Sequence, residues 1–328
     1  MRAAFPEIDP YDTGMLGVGD GQCLYWETCG TPNGRAAVVL HGGPGSGCTP
    51  GARRLFDPAV YQIVLFDQRG AGRSTPRVGV ATDLSANTTD HLLADMERLR
   101  RHLGIEQWVV SGTSWGSTLA LVYAERFPEL VTALVLASVT TTRPSEIRWL
   151  YHGVGRFFPA EWERFRLAGG DGGDVDLVAA YHGLLHEHPD TSVRERAARA
   201  WCCWEDTVSP LPDGRPNPRY DDAAFRMTFA RIVTHYFHHR AWLAEDQLLH
   251  DAPRLSGIPG VLVHGDRDVG SPPDTARALA DAWPAFPGCS STASETSAAR
   301  LRPRGSSPPP GGALSCASWI RDTREATP

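Results

Sequence analysis

Long apolar runs are missing from this sequence of 328 residues. No stretch reaches about 18 apolar residues, the length at which a membrane-spanning helix becomes the expected structure. The first residues, MRAAFPE, also lack the apolar segment that a signal peptide requires. We therefore expect no membrane partner and a cytoplasmic location.

Clusters of positive charge are missing as well. Lys and Arg total 32 against 38 Asp and Glu, which gives a formal net charge of −6. Proteins that bind nucleic acids generally present a basic surface to the phosphate backbone. The charge balance therefore indicates that nucleic acid is not a partner.

Paired cysteine motifs are also absent. The seven cysteines are odd in number and none of them has metal-ligand spacing; they are Cys23, Cys29, Cys48, Cys202, Cys203, Cys289 and Cys316. Such a set is typical of reduced thiols in a reducing compartment. The adjacent Cys202 and Cys203 could form a redox pair, but we favour packing, since a free cysteine behaves as a small apolar residue.

Short apolar runs that end in turns recur along the chain. They lie at residues 37–40, 63–66, 109–110, 133–136 and 260–263. Continuous apolar runs of this length are typical of strands buried on both faces of a parallel sheet. Between them, residues 92–103 show a helical repeat, with Leu92, Met96, Leu99 and Leu103 on one face. The alternation predicts an α/β fold with a mostly parallel central sheet, helices on both faces, and ligands at the carboxyl ends of the strands.

The composition changes twice along the chain. Aromatic and charged residues replace the strand pattern between residues 140 and 247, which predicts an inserted helical cap. Residues 1–139 and 248–285 would then form the core of the fold. Ser, Pro and Gly dominate residues 286–328 without apolar periodicity, and this composition predicts a disordered tail.

Two glycine-rich loops follow predicted strands and suggest catalysis. The pattern G-x-S-x-G at residues 112–116 places a serine, Ser114, on a tight strand-to-helix turn, with its hydroxyl exposed above the sheet. The loop at residues 41–45 could offer a backbone N–H that, with the N–H of Trp115, stabilises a developing oxyanion. A glycine-rich turn capped by a serine is the alternative, but two such loops at matching strand ends favour a nucleophile.

A candidate acid follows the last of these apolar runs. Asp268 comes after Ser114 in chain order and just beyond the strand at residues 261–263, where the acid of a triad built on such a turn lies. Asp266 competes for this role, and either residue could simply terminate the strand.

Taken together, these residues resemble the proline iminopeptidase branch of the α/β-hydrolases, which are serine peptidases that remove an N-terminal proline. The matching stretches lie between Tyr11 and Pro284; they are LHGGPGSG, FDQRGAGRS, NTTDHLLADMERLRRHLGI, SGTSWGSTLALVYAERFP, AWCCWED, THYF and IPGVLVHGDRDVGSP. The resemblance implies the α/β-hydrolase fold, no cofactor, and release of N-terminal proline from a small peptide through an acyl-enzyme. It also implies Ser114 as nucleophile and Asp268 as acid, with oxyanion donors from Gly42, Gly43 and Trp115.

The resemblance further implies cap glutamates that bind the substrate's free α-amino group. Glu205, in WCCWED, fits the first of these, since a carboxylate pairs well with a protonated amine. A solvated charge on a cap helix is the alternative role for Glu205. Val233 stands where family members often carry a second glutamate, so strict specificity for proline is not implied.

The base of the expected triad is missing. The family's histidine should follow Asp268 by a few tens of residues, yet the last of the 12 histidines is His264. The strand pattern, the histidine and the apolar content all end near Ala285, which favours a change of reading frame there over natural loss of the base. In both cases we expect a severely impaired enzyme, because loss of one triad member leaves only the residual catalysis of the oxyanion hole and binding.

Other histidines are poor substitutes for the missing base. His41 lies in the oxyanion loop, whereas His235, His238 and His239 lie in the predicted cap and would need a different geometry. The three cap histidines also suggest a metal site, but no carboxylate or cysteine lies at ligand spacing, so we expect no metal. Two alternative functions stay open: a carboxylesterase or amidase on the same scaffold, and an inactive binding protein.

Overall fold

A computed structural model describes residues 5–170, 176–211, 214–265, 268–284 and 289–291. In these ranges one sheet contains eight strands, in the order β1-β2-β4-β3-β5-β6-β7-β8. The strands are β1 (Asp12–Gly19), β2 (Gln22–Gly30), β3 (Arg35–Leu40), β4 (Tyr61–Phe66), β5 (Trp108–Thr113), β6 (Val131–Ala137), β7 (Gly260–His264) and β8 (Cys289–Ser291). β2 runs antiparallel to β1 and β4, and the other pairs are parallel, so the predicted α/β fold with a mostly parallel sheet is confirmed.

Nine α-helices are described in the same ranges. They are α1 (Thr89–His102), α2 (Trp115–Arg126), α3 (Pro144–Tyr151), α4 (Pro159–Gly169), α5 (Leu177–His182), α6 (Thr191–Val208), α7 (Ala223–His238), α8 (Gln247–His250) and α9 (Asp274–Ala282). Leu92, Met96 and Leu99 of α1 are buried, as their spacing predicts. None of the described helices combines the length and apolar character that crossing a membrane requires.

Alternate residues of the central strands enter two different apolar clusters. Val38 and Val64 pack in one cluster with α1 and α2, while their neighbours Val39 and Leu65 pack in another with Phe56. Since successive side chains of a strand point to opposite faces, both faces of the sheet carry apolar residues. This explains why the apolar runs are continuous rather than alternating.

The segment between β6 and β7 has a core of its own. Phe165 of α4 stacks on Tyr181 of α5 and on Trp204 of α6, with ring centroids 4.6 and 5.4 Å apart. Tyr151 and Trp201 are fully buried beside them. The described residues of this segment form helices and no strand, although its division from the rest of the chain as a separate cap stays a prediction.

Most of the predicted tail, residues 286–328, lies outside the described residues. Within it, Cys289–Ser291 forms β8 and pairs in parallel with β7. The expectation that no strand follows Pro284 is therefore wrong for these three residues. Strand pairing uses backbone groups, so it does not depend on the apolar pattern that the sequence prediction required.

A buried ion pair fixes the loop that follows β4. The guanidinium of Arg69 donates to both carboxylate oxygens of Asp95 on α1, at 2.6 and 2.9 Å. It also donates to Asp20 at 2.8 Å and to the carbonyl oxygen of Ala86 at 2.8 Å. Arg69 thereby joins the β4 loop to α1 and to the β1–β2 turn, and it holds its neighbour Gln68 in place.

Candidate active site

Ser114 occupies a strained turn between β5 and α2. Its backbone has φ 54° and ψ −125°, a conformation that an L-residue adopts at a cost of about 1–3 kcal/mol. A Cβ atom on Gly112 would lie 2.0 Å from the carbonyl oxygen of Gly116, and one on Gly116 would lie 2.3 Å from that of Leu40. The close approach of backbone segments therefore requires both glycines of the G-x-S-x-G pattern. The role of Ser114 as nucleophile stays a prediction.

The loop after β3 lies against this turn. A Cβ atom on Gly42 would lie 3.1 Å from the carbonyl oxygen of Thr113, and Gly43 lines the same cleft as Ser114 and Trp115. Trp115 is the first residue of α2, so its N–H has no acceptor within the helix. The positive end of the helix dipole adds to the attraction for an anion at this place.

Gln68 braces both loops, a role that the sequence analysis did not assign. Its side-chain amide donates to the carbonyl oxygen of His41 at 3.0 Å and accepts from the indole N–H of Trp115 at 3.0 Å. Its backbone N–H donates to Nε2 of His41 at 3.0 Å. Gln68 lies in the quoted stretch FDQRGAGRS, but this stretch did not indicate which residue makes the contacts.

Replacing Gln68 with Leu will lower the free energy of unfolding by about 1–3 kcal/mol for each buried group left without a partner. Those groups are the carbonyl of His41 and the indole N–H of Trp115. Urea denaturation measures the change. Gln107→Leu is the matched control, because Gln107 is exposed and should shift stability by at most about 0.5 kcal/mol. Equal effects of the two variants would contradict the bracing role.

The two histidines of the sheet loops are held by backbone groups. Nε2 of His41 accepts from the Gln68 N–H, so Nδ1 carries the proton and donates to the carbonyl oxygen of Gly42 at 2.9 Å. Nδ1 of His264 accepts from the Val139 N–H, and Nε2 donates to the carbonyl oxygen of Ser271. Burial also lowers the pKa of His41. In this geometry neither imidazole has a free nitrogen to accept a proton from Ser114.

Asp268 is fixed at the turn that follows β7. Its Oδ1 accepts from the backbone N–H groups of Gly270 and Ser271, at 3.1 and 2.9 Å. Gly270 and Ser271 line the cleft of Ser114, so the structure brings the loop of the predicted acid to the predicted nucleophile. The competing Asp266 lies outside the described residues.

The cleft opens to solvent between the sheet and the helices that follow β6. Glu205 of α6 lines it opposite the residues of the sheet loops, and the hydroxyl of Tyr151 donates to its Oε1 at 2.7 Å. Burial raises the pKa of Glu205 to about 7, although the hydrogen bond from Tyr151 acts in the opposite direction. Val233 is fully buried in the apolar cluster of these helices.

A second carboxylate in the cleft, Glu146, was missed by the sequence analysis. It accepts from the hydroxyl of Thr140 at 3.0 Å, from the N–H of Thr141 at 2.9 Å and from the hydroxyl of Thr275 on α9. The guanidinium of Arg143 lies 3.5 Å away. These partners occupy the carboxylate, so Glu146 joins α3 to α9. No sequence pattern indicated this contact, because Thr275 is distant along the chain.

The histidines considered as substitutes for the base lie elsewhere. His235 is buried on α7, while His238 and His239 are exposed at the end of this helix. They are not among the described residues that line the cleft of Ser114. The structure therefore does not bring them to the predicted nucleophile.

Comparison with known proteins agrees with this architecture. Residues 37–291 match the family model described as the alpha/beta hydrolase fold. The chain is 54% identical over 286 residues to a probable proline iminopeptidase of Streptomyces coelicolor, covering 85% of this chain and 88% of the relative. It is 48% identical over 287 residues to a proline iminopeptidase of Xanthomonas citri, covering 87% and 90%. The crystal structure of a Mycobacterium smegmatis proline iminopeptidase has a TM-score of 0.54 at 20% identity, covers 86% of this chain and 89% of that one, and shows the shared fold.

Proposed function

The chain belongs to the proline iminopeptidase branch of the alpha/beta hydrolase family, and from this premise we propose that it is built as a serine aminopeptidase that releases N-terminal proline from peptides. The observation that carries the proposal is that Ser114, Gly43, Trp115 and Glu205 line one cleft. A nucleophile, two oxyanion donors and an amine-binding carboxylate are the groups that such a reaction needs.

The proposed reaction begins with attack of Ser114 Oγ on the carbonyl carbon of the N-terminal proline. The N–H groups of Gly43 and Trp115 stabilise the negative oxygen of the tetrahedral intermediate. A base accepts the serine proton and passes it to the leaving amine, which gives the acyl-enzyme; water then releases proline. Asp268 would orient that base.

The proposed reaction requires a base, and the histidines of this chain do not supply a suitable one. No histidine occurs between Asp268 and Pro328, and His41 and His264 are held by backbone groups. A serine hydroxyl without a base is a poor nucleophile at neutral pH. We therefore propose that this chain binds its substrate but turns it over slowly.

Glu205 is the proposed partner of the substrate's ammonium group. Ion pairing in a partly dry cleft is strong when the geometry is good. Val233 adds no second carboxylate, and the carboxylate of Glu146 is already engaged by Thr140, Thr141 and Thr275. A single ammonium contact leaves the fit of the pyrrolidine ring less restricted, so N-terminal residues other than proline should also be accepted.

A substrate panel tests the proposed function. It compares proline arylamide, N-acetylproline arylamide and an aryl acetate at high enzyme concentration. The proposal expects hydrolysis of the free amine alone, because the acetylated substrate has no charge for Glu205. Hydrolysis that ignores acetylation would indicate the alternative, an esterase or amidase.

A binding protein without catalysis is the second candidate, and the missing base is the observation that favours it. Prolonged labelling with a fluorophosphonate distinguishes the two, with Ser114→Ala as the control. Labelling that depends on Ser114 supports the hydrolase. No labelling of a chain that still binds proline amide would support the binding protein.

Replacing Glu205 with Gln will stabilise the chain at pH 8. Burial raises the folded-state pKa from 4.5 to about 7, so the folded chain holds this proton more tightly than the unfolded chain. The free energy of unfolding therefore falls as pH rises from 4.5 to 7, by on the order of 1–3 kcal/mol. A glutamine side chain does not titrate, so the Glu205→Gln variant does not lose this stability as pH rises. Its advantage in free energy of unfolding over the parent should vanish near pH 4.

Urea denaturation at pH 4 and pH 8 measures the effect of Glu205→Gln. Glu195→Gln, an exposed change on the same helix, is the matched control and should have little effect at either pH. Glu205→Gln should also weaken binding of proline amide at pH 8. A stability gain without a change in binding would assign Glu205 no role in recognition of the amine.

A further inference from the structure

Histidines from two helices meet at the end of α7, away from the cleft of Ser114. One ligand atom each of His182, His235 and His239 lie within 4.8 Å of one another. The ring of His182 also stacks on those of His186 and His238, with centroids 4.2 and 4.1 Å apart. Five imidazoles thus occupy a small volume between α5 and α7.

The hydrogen bond of His235 leaves one of its ring nitrogens with a free lone pair. Its Nε2 lies 3.0 Å from the carbonyl oxygen of Asn87. A carbonyl oxygen only accepts, so Nε2 carries the proton and Nδ1 keeps its lone pair. A histidine that binds a metal commonly donates its other N–H to a backbone carbonyl in this way.

The cluster is also accessible from solvent. His239 is exposed and His182 is partly exposed, which leaves a path from solvent to the three nitrogens.

Charged groups of both signs lie near the cluster. The carboxylate of Glu187 is 3.9 Å from Nδ1 of His182 and favours a cation. The guanidinium of Arg231 disfavours a cation, and its charge acts on both His182 and His235. Its hydrogen bonds go elsewhere: it lies 3.4 Å from Nδ1 of His186 and donates to the carbonyl oxygens of Gly79 and Thr82.

We propose that His182, His235 and His239 bind a divalent transition-metal ion of the class that prefers imidazole, with Zn²⁺ as its representative. Three histidines and one water complete a tetrahedral Zn²⁺ site, with Zn–N distances of about 2.0–2.1 Å reached by small movements of the side chains. The ion would tie α5 to the end of α7. His186 lies in the π-helical turn Gly183–Glu187, an irregularity often found at functional sites.

This proposal revises the sequence expectation of no metal. That expectation considered His235, His238 and His239 and found no further ligand at suitable spacing. The structure replaces His238 with His182, which is distant along the chain and reaches the site only because α5 packs on α7. Spacing along the sequence could not show this partner.

Metal binding to the full-length, metal-stripped chain tests the proposal. Isothermal titration with Zn²⁺ should show one ion per chain, and Co²⁺ should give the visible absorption of a site with imidazole ligands. His182→Ala and His239→Ala should each weaken Zn²⁺ binding at least about tenfold. His250→Ala, which removes an exposed histidine elsewhere, should leave binding unchanged.

Thermal melting without metal checks that the variants fold as the parent does. Zn²⁺ should then raise the Tm of the parent and of His250→Ala, but not that of His239→Ala. The absence of stoichiometric binding to the parent would overturn the proposal. Binding that survives both His182→Ala and His239→Ala, or that is lost in His250→Ala, would overturn it as well.

Discussion

A form of this chain that carries a histidine in the triad position will hydrolyse proline arylamide about 10⁴–10⁶ times faster than the chain described above. Loss of the histidine from a serine hydrolase triad costs a factor of this size in kcat. Ser114, the loop of Asp268, Gly43 and Trp115 are already gathered at one cleft. The supplied base would therefore meet a site that is otherwise assembled.

The experiment replaces residues 285–328 with the corresponding segment of a proline iminopeptidase relative. The same replacement with its histidine changed to Ala is the matched control, because it carries the same new segment without the base. The kcat for proline arylamide should differ between these two replacements by the full factor of about 10⁴–10⁶. If the present chain matches the histidine-bearing form, the base lies elsewhere and the missing-base hypothesis is wrong.

Ser114→Ala sharpens this test. In the histidine-bearing form, Ser114→Ala should remove nearly all of the increase in kcat. In the present chain, the same substitution should change kcat only a few-fold. The difference arises because triad members act as a unit, so removing a second member costs little. Sequencing the genomic DNA around the codon for Ala285 distinguishes a change of reading frame from natural loss of the base. The frame change would be rejected if the genomic DNA confirms the present frame and neither alternative frame encodes Gly-His.

Replacing Arg69 with Ala will lower the free energy of unfolding by about 3–5 kcal/mol. The change leaves the fully buried carboxylate of Asp95 without its bidentate partner, and an uncompensated buried charge carries a penalty of this size. The carbonyl oxygen of Ala86 also loses a hydrogen bond. Gln68 is the residue before Arg69, so it should lose its fixed position as well. Both glycine-rich loops that it contacts should then become more mobile.

Urea denaturation measures the loss, with Arg98→Ala as the control. Arg98 is exposed on the same helix as Asp95, so its removal should change stability by at most about 0.5 kcal/mol. Asp95→Ala and the double variant complete a cycle. The double variant should be less destabilised than the sum of the single variants, since it leaves no buried charge unpaired. Additive losses would contradict the buried ion pair.

The sequence predicted best those features that depend on neighbouring residues. The apolar runs of β3, β4, β5, β6 and β7 indicate strands because both faces of the sheet are buried. Gly112 and Gly116 mark the turn of Ser114 because two backbone segments approach too closely for any side chain. These signals are local, so a single sequence carries them.

Features that join distant segments were not predictable in the same way. Gln68 has polar partners in the loop after β3 and at the start of α2, and Glu146 joins α3 to α9. His182 meets His239 only after two helices pack together. β8 pairs with β7 through backbone groups, and the sequence of Cys289–Ser291 does not form the apolar run that predicted the other strands. Each depends on where other parts of the chain lie.

The turn at Ser114 also bears on the age of the proposed loss of the base. A left-handed φ at a serine is a standing cost to stability, and a functional enzyme retains it because catalysis needs the exposed hydroxyl. If catalysis had been lost long ago, substitutions that relax the turn would have become advantageous or neutral, and drift over many generations would have accumulated them. Ser114, Gly112 and Gly116 are all intact here. The preserved turn favours a recent event, and a change of reading frame near Ala285 can be as young as a single generation.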